Sequence, residues 1–160
     1  MQTEYFESEI GWLEISADED AITDVSFLDK VPSINYQNKN ELIKDCIKQL
    51  KEYFSGKRKI FQLNLNPSGT DFQKRVWNEL LHIPFGKTTT YLAMARKLGD
   101  EKVIRAAASA NGKNPIAIII PCHRVIGSDG SLVGYAGGME RKRKLLALEQ
   151  GVFQLSLDTL

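Results

Sequence analysis

Apolar and polar residues alternate along the first part of the chain, which is the pattern of strands with one buried face. The alternation runs through residues 5–6, 11–17 and 21–27, and the acidic run 18–20 separates the last two segments as a turn. The polar stretch at 31–39 has the composition of a loop. The pattern therefore predicts three strands of a small sheet, followed by a loop.

The apolar positions change to a helical spacing between residues 41 and 54. Asn40 precedes this helix as a cap, and Gly56 ends it. Cys46 falls on the apolar stripe, so we expect it to pack in the core. An apolar segment at 60–65 predicts one more short strand.

The remainder of the chain has the spacing of short helices. We predict helices at 72–82, 91–98, 101–110 and 139–149, each with a capping residue before it or a glycine after it, and an apolar strand at 116–120. Only Leu98-Gly99-Asp100 joins the second and third of these helices, which is the outline of a helix-turn-helix. Alanines at 106–108 would let the third helix approach either another helix or a nucleic-acid duplex closely.

Charge divides the chain at the turn-forming sequence 66–69. Residues 1–68 carry 8 Lys and Arg against 12 Asp and Glu, whereas residues 69–160 carry 13 against 8. An acidic front part and a basic back part indicate two units, of which the second meets a polyanion. The 42% of hydrophobic and 26% of charged residues are ordinary for a soluble globular protein.

The composition also argues against several classes of protein. The acidic start has no basic region followed by an apolar stretch, so we expect no secretory signal, and no apolar run is long enough to span a bilayer. The two cysteines, Cys46 and Cys122, are too few for a disulfide framework. With only two histidines, no zinc-ligand spacing occurs. We therefore expect a cytoplasmic protein without a metal.

The residues best suited to catalysis are a cysteine and a histidine that are adjacent in the sequence. Only a thiolate is a strong nucleophile, and a free thiol has a pKa of roughly 8.5. His123 is a proton acceptor directly beside Cys122, and Glu149 can orient the imidazole. Pro121 ends the apolar segment, so that both side chains meet a turn on which a water molecule can join them. The alternative is a core cysteine, since neighbouring side chains in a regular strand or helix point apart.

Further motifs surround this pair. They are Phe72-Gln73-Lys74-Arg75-Val76-Trp77, Ile83-Pro84-Phe85-Gly86-Lys87-Thr88, Gly112-Lys113-Asn114-Pro115, Pro121-Cys122-His123-Arg124-Val125-Ile126-Gly127, Gly134-Tyr135-Ala136-Gly137-Gly138 and Leu145-Leu146-Ala147-Leu148-Glu149. Together they closely resemble the motifs of the O6-alkylguanine-DNA alkyltransferases. The resemblance is strong over residues 69–160, whereas residues 1–68 match only in length and in the coarse order of elements.

The resemblance implies an α+β protein of two domains. Residues 1–68 would form a small ribonuclease-H-like domain of sheet and helix, and residues 69–160 a winged-helix-like domain with the helix-turn-helix and the reactive cysteine. The implied function is DNA repair by direct damage reversal. An alkyl group would move irreversibly from O6 of guanine in double-stranded DNA onto Cys122, once per molecule, with O4-alkylthymine as a second candidate lesion. No metal or cofactor is implied, and we expect a monomer that binds no membrane.

The resemblance also gives roles to individual residues at the expected catalytic site. Cys122 corresponds to the alkyl acceptor, His123 to the base that deprotonates it through a water, and Glu149 to the carboxylate that orients the histidine. Asn114 corresponds to the asparagine that ties the active-site turn together. Tyr91 corresponds to the tyrosine that hydrogen-bonds guanine or donates a proton to it.

Other residues are expected to contact DNA. Arg105 corresponds to the side chain that fills the gap left when the target nucleotide is flipped out of the duplex. We expect Ala106 and Ser128 to lie against DNA as well. The basic run at 141–144 either forms a solvated face or reaches phosphate, because both uses favour the same residue types.

Two other functions fit the reactive pair and the helix-turn-helix. A winged-helix regulator whose Cys122 senses oxidants would bind a defined operator and show reversible thiol chemistry. A Cys-His-Glu acyl hydrolase would instead cleave esters or amides repeatedly. The number of alkyl groups accepted per protein molecule separates these functions from repair.

Overall fold

The computed structural model describes residues 1–33, 40–132 and 134–151, so most of the predicted loop at 31–39 lies outside it. The described chain divides into two units: Met1–Ser68 with Pro115–Ala117, and Gly69–Asn114 with the chain from Ile118 onward. Within the described residues, no helix has both the length and the apolar character needed to cross a membrane.

The sheet of the first unit is antiparallel. Such a sheet can bury alternate side chains on one face, which agrees with the alternation of apolar and polar residues in the sequence. The strands pair in the order β1-β2-β3, with bounds β1 (Gln2–Ser8), β2 (Gly11–Ala17) and β3 (Ile22–Phe27). Ile15 of β2 lies opposite Val25 of β3, and both side chains are buried. The prediction of three strands is confirmed.

The helix α1 (Glu41–Phe54) packs against β1 and β2. The Asn40 side chain caps it by accepting a hydrogen bond from the Ile43 backbone N–H at 2.9 Å. Cys46 is fully buried on this helix, and burial raises the pKa of its thiol to about 12. The predicted helix, its cap and the core position of Cys46 are confirmed.

The predicted strand at 60–65 is wrong. Only Leu65 forms a β-bridge, parallel to Ile22. The Gln49 side chain takes the place of a strand partner, because it accepts from the Gln62 backbone N–H at 2.9 Å and donates to the Gln62 carbonyl at 3.1 Å. Ile60, which the pattern would bury, is 74% exposed.

Helices make up most of the second unit: α2 (Asp71–Leu80), α3 (Tyr91–Lys97), α4 (Ile104–Gly112) and α5 (Met139–Glu149). Thr70 begins α2 with a capping box, in which its side chain and that of Gln73 each accept a hydrogen bond from the other's backbone N–H. Trp77 joins α2 to α4, because its Nε1–H donates to the Ala110 carbonyl at 2.8 Å. The parallel pair β4 (Thr89–Thr90) and β5 (Val125–Ile126) completes the regular elements.

The helices α3 and α4 follow each other across a short turn, so the predicted helix-turn-helix is confirmed. The α-helix begins later than predicted, since residues Glu101–Val103 form a 3-10 turn. Asp100 caps that turn by accepting from the Lys102 backbone N–H at 2.9 Å. α4 then runs from Ile104 to Gly112, two residues past its predicted end.

The predicted strand at 116–120 is also wrong. Ile116 forms one β-bridge with Val25, and the following residues form turns, with Ile118 in a left-handed conformation at φ 72°. Every residue of this run is apolar, so the run can be buried as a strand, as a helix or as turns. Its composition therefore does not specify a strand. The α+β fold class, with a sheet unit before a helical unit, is confirmed.

Candidate active site

The reactive turn, Cys122–Arg124, is a single 3-10 turn directly after Pro121. Cys122 is only 4% exposed. Asn114 holds the turn, because its Nδ2 donates to the Cys122 Sγ at 3.1 Å and to the Ile120 carbonyl at 2.8 Å. Asn111 adds a second support, since its Nδ2 donates to the Cys122 carbonyl at 3.3 Å. Cys122 therefore lies on a turn that two asparagine side chains fix.

A buried hydrogen-bond network begins at the next residue. The His123 Nε2 lies 2.6 Å from Glu149 Oε2, and both side chains are almost completely buried. Arg124 binds the same carboxylate with two bonds, from Nε to Oε1 at 2.7 Å and from Nη2 to Oε2 at 3.0 Å. The backbone N–H of Gly86 donates to Oε1 as well, at 3.3 Å. Glu149, at the end of α5, thus connects the imidazole to a compensating positive charge.

The network determines which histidine nitrogen can accept a proton. Burial alone would raise the pKa of Glu149, but the hydrogen bonds and charges of His123 and Arg124 outweigh it and hold that pKa below its usual range. Burial lowers the pKa of His123, against the opposing effect of Glu149, so the imidazole is neutral at neutral pH. An ionised carboxylate can only accept, so His123 donates from Nε2 and its lone pair lies on Nδ1. Nδ1 is buried and has no hydrogen-bond partner among the residues that the structure describes.

The thiol is protonated at rest in this environment. Burial raises the pKa of Cys122 to about 11, although the Asn114 hydrogen bond and the positive charge of Lys142 oppose the rise. Lys142 is fully buried, and its Nζ donates to the Val125 carbonyl at 2.6 Å. The same ammonium lies 5.8 Å from the centre of the Tyr91 ring. A buried cation therefore lies close to the Tyr91 ring, and its charge lowers the pKa of the thiol.

Tyr91 begins α3 and is half-buried. Burial and a negative charge on Cys122 raise the pKa of the Tyr91 hydroxyl, and a hydrogen bond with Asn111 opposes this rise. Gly134 makes room for that hydroxyl, because a Cβ at this position would lie 3.0 Å from it. The glycine also has φ +82°, a conformation that other residues rarely adopt.

The structure brings five of the residues named from the sequence into one site: Cys122, His123, Glu149, Asn114 and Tyr91. The three residues expected to contact DNA lie at the surface instead. Arg105 and Ala106 are exposed near the start of α4, and Ser128 is exposed on the turn after β5.

Sequence reasoning missed Asn111 and Lys142, and assigned no role to Arg124. The basic run at 141–144 suggested either a solvated face or phosphate contacts, but Lys142 is completely buried. The sequence does contain a signal for the burial of Lys142. Lys142 and Glu149 are the two ends of an i, i+3, i+4, i+7 stripe on α5, and the two positions between them are leucines. A lysine on the buried stripe of a helix points into the core.

The fold and the site together define a protein that presents a buried thiol beside a helix-turn-helix. Two family models match this chain. The one described as 6-O-methylguanine DNA methyltransferase, ribonuclease-like domain, matches residues 1–67. The one described as 6-O-methylguanine DNA methyltransferase, DNA binding domain, matches residues 71–151.

Individual relatives are similar over nearly their whole length. A methylated-DNA--protein-cysteine methyltransferase of Methanosarcina acetivorans is 46% identical over 149 residues, which cover 90% of this chain and 95% of the relative. A crystal structure of Mycobacterium tuberculosis O6-methylguanine methyltransferase is 40% identical, with a TM-score of 0.83 over 93% of this chain and 92% of that one. Another, of Mycobacterium tuberculosis OGT in complex with DNA, is 41% identical, with a TM-score of 0.84 over 94% and 93%. The chain belongs to the 6-O-methylguanine DNA methyltransferase family.

Proposed function

We propose that this protein repairs DNA by moving an alkyl group from O6 of guanine onto the Sγ of Cys122. The observation that carries the proposal is the 2.6 Å hydrogen bond between His123 and Glu149 next to a buried cysteine, in a chain of this family. A structural cysteine needs no such base. The buried network is the arrangement that an activated nucleophile requires.

The first step is removal of the thiol proton. With a pKa of about 11, only about one Cys122 in ten thousand is a thiolate at neutral pH, so a base is needed. The neutral His123 accepts this proton at Nδ1, through a water molecule between Nδ1 and Sγ. Glu149 supports the resulting imidazolium, since its carboxylate already binds the Nε2–H; Arg124 holds that carboxylate in place, although its own positive charge opposes the imidazolium.

The second step is alkyl transfer. The thiolate attacks the alkyl carbon, so that an S–C bond forms while the bond from that carbon to O6 breaks, and the electron pair stays on guanine. The Tyr91 hydroxyl donates a proton to the departing guanine and is later reprotonated from solvent, to which the His123 imidazolium returns the proton that it took from the thiol. The positive charge of Lys142 favours the thiolate before the attack. The products are unmodified guanine and a stable thioether, so each molecule reacts once and needs no cofactor.

The target atom lies inside the duplex, so the nucleotide must leave the base stack. We assign this task to residues 69–160, with Arg105 entering the vacated position and Ala106 and Ser128 against the DNA. Their exposure at the surface supports the assignment. Residues 1–68 act as a scaffold domain, and the protein works as a monomer in the cytoplasm on double-stranded DNA that carries O6-alkylguanine.

Intact-protein mass spectrometry tests the proposal. After incubation with duplex DNA containing O6-methylguanine, the protein should gain the mass of one methyl group and no more, and peptide mapping should place it on Cys122. Cys46→Ser is the matched control and should gain the same mass, whereas Cys122→Ser should gain none. Turnover beyond one methyl group per protein, or a methyl group on another residue, would overturn the proposal.

A further inference from the structure

Arg124 and His123 share one buried carboxylate, that of Glu149. Its Oε1 accepts a bond from the Arg124 Nε at 2.7 Å and a longer one from the Gly86 backbone N–H at 3.3 Å. Its Oε2 accepts from the Arg124 Nη2 at 3.0 Å and lies 2.6 Å from the His123 Nε2. Each oxygen thus binds two donors, and the guanidinium takes one place on both.

Arg124 is itself fixed by the segment 83–86. Its Nη1 donates to the Ile83 carbonyl at 2.6 Å, and its guanidinium carbon lies 5.8 Å from the centre of the Phe85 ring. Its two parallel bonds to the carboxylate are charge-assisted, which makes them strong and sets the orientation of the carboxylate. Glu149 is therefore oriented by contacts that do not involve His123.

The charges of this buried group determine the resting state of the imidazole. Arg124 cancels the charge of Glu149, so the three side chains are neutral together only while His123 is neutral. Without Arg124, the remaining two side chains would be neutral together only as an ion pair between Glu149 and a protonated His123. Uncompensated charge is costly to bury, so each arrangement favours its own neutral form.

The other ionisable groups of the site favour a neutral imidazole as well. Burial is the largest cause of the lowered pKa of His123, and the charges of Arg124 and Lys142 add to it, whereas Glu149 opposes it. Three further acids of this unit are kept neutral at rest by burial, which raises their pKa: Cys122, Tyr91 and Tyr135. A proton that moves from Cys122 to His123 leaves the total charge of the site unchanged, whereas a proton taken from solvent would increase its positive charge.

We propose that Arg124 is a positioning residue that holds the Glu149 carboxylate for a neutral His123 and thereby keeps the imidazole free to take the proton of Cys122. This inference rests on the proposed function and deepens it. Arg124 acts through Glu149 and His123, not on the thiol or the base. The carboxylate that stabilises the imidazolium during the reaction is thus prevented from creating it beforehand.

The protonation state of His123 tests the inference directly. The chain has two histidines, so nitrogen NMR of the imidazoles gives two patterns, and a His82→Gln variant assigns the exposed one. At neutral pH, wild type should show a neutral His123 with its proton on Nε2. In Arg124→Met, His123 should stay protonated to a higher pH, because the carboxylate then lacks its arginine partner. A protonated His123 in wild type at neutral pH, or an unchanged titration in Arg124→Met, overturns the inference.

The pH dependence of methyl transfer separates this role from a loss of structure. A protonated His123 cannot accept the thiol proton, and its pKa rises without Arg124, so Arg124→Met should lose activity mainly on the acid side. Single-turnover transfer from duplex DNA should be slower than in wild type by about tenfold or more at about pH 6, and by less than about threefold at about pH 9. Slowing by the same factor at both pH values would mean that Arg124 only supports the fold, which contradicts the inference.

Arg58→Met is the matched control. Arg58 also binds a carboxylate and an isoleucine carbonyl, those of Glu52 at 3.0 Å and Ile60 at 2.9 Å, but at a less buried position of the first unit. This variant should change methyl transfer less than about twofold at either pH and leave the titration of His123 as it is in wild type.

Arg124→Lys extends the test if Arg124→Met does not fold. Lysine keeps the positive charge but not the two parallel bonds, so His123 should titrate as in wild type while transfer slows by a similar factor at both pH values. A His123 that is protonated at neutral pH in Arg124→Lys overturns the inference. Wild-type protein that takes up no methyl group overturns the proposed function, whereas normal wild-type transfer with a contrary result for His123 overturns only the role of Arg124.

Discussion

Replacing Glu149 with glutamine should strongly destabilise the second unit. The carboxylate binds Arg124 through two charged hydrogen bonds of 2.7 and 3.0 Å and His123 through one of 2.6 Å. Glutamine keeps the shape but has one acceptor oxygen and no charge, so the buried Arg124 loses its counter-charge. Removing one partner of a buried ion pair costs about 3–5 kcal/mol, which is the loss we expect for Glu149→Gln at neutral pH.

The loss should depend on pH in a defined way. The pKa of Glu149 is lower in the folded protein than its ordinary value of 4.5, so its stabilising contribution is complete above that value. This contribution is lost as the pH falls from the pKa of Glu149 in the unfolded state toward its lower pKa in the folded state. In this range the carboxylate binds a proton in the unfolded protein but not in the folded one. The free-energy difference between wild type and Glu149→Gln should therefore be constant near neutrality and shrink in acid.

Urea unfolding followed by tryptophan fluorescence measures this difference. The chain has two tryptophans, so a Trp12→Phe background leaves the buried Trp77 as a reporter of the second unit. Glu140→Gln is the matched control, since Glu140 pairs with Arg143 at the surface, where an ion pair contributes less than about 1 kcal/mol. A loss for Glu149→Gln no larger than that of the control, or one that grows in acid, would refute the reasoning.

Two further predictions concern the reaction. Arg105→Ala should slow repair in duplex DNA about tenfold or more and leave the reaction with a free alkylated base within about twofold, because only the duplex requires flipping; equal losses on both substrates would contradict the role of Arg105. Lys142→Met should raise the pKa of Cys122 further and slow methyl transfer, since it removes a positive charge that lowers this pKa. The pH dependence of iodoacetamide alkylation in a Cys46→Ser background measures that pKa, and an unchanged value would sink the prediction.

Local signals in the sequence were sufficient for most of the helices and strands. Asn40 and Thr70 are caps whose geometry depends only on residues three positions away, so the sequence predicts the helices after them. The strands predicted at 60–65 and 116–120 were wrong for the opposite reason. Their backbones are satisfied by distant partners, such as the Gln49 side chain, which no local pattern reveals.

The site was only partly predictable from the sequence. Cys122 and His123 are adjacent, so their chemistry is visible locally; Glu149 is a candidate from its residue type alone, and the family resemblance gives it the same role. The contacts of Asn111 and Lys142 depend on how α4 and α5 approach the reactive turn, and that approach is a property of the packed unit. A buried lysine and a buried amide resemble surface residues until the packing is known.

The chain order of the two units limits how this protein can be dissected. Pro115–Ala117 belong to the first unit, where Val25 exchanges backbone hydrogen bonds of 2.9 Å with Pro115 and Ala117. The two units are thus interleaved, and no single cut separates them. A fragment that starts at residue 69 would keep residues 115–117 but lose β3, the strand to which they bond. Cys122 follows this segment after only a few residues. Truncation would therefore remove the hydrogen bonds that hold the segment before Cys122, even though every residue of the reactive turn was retained.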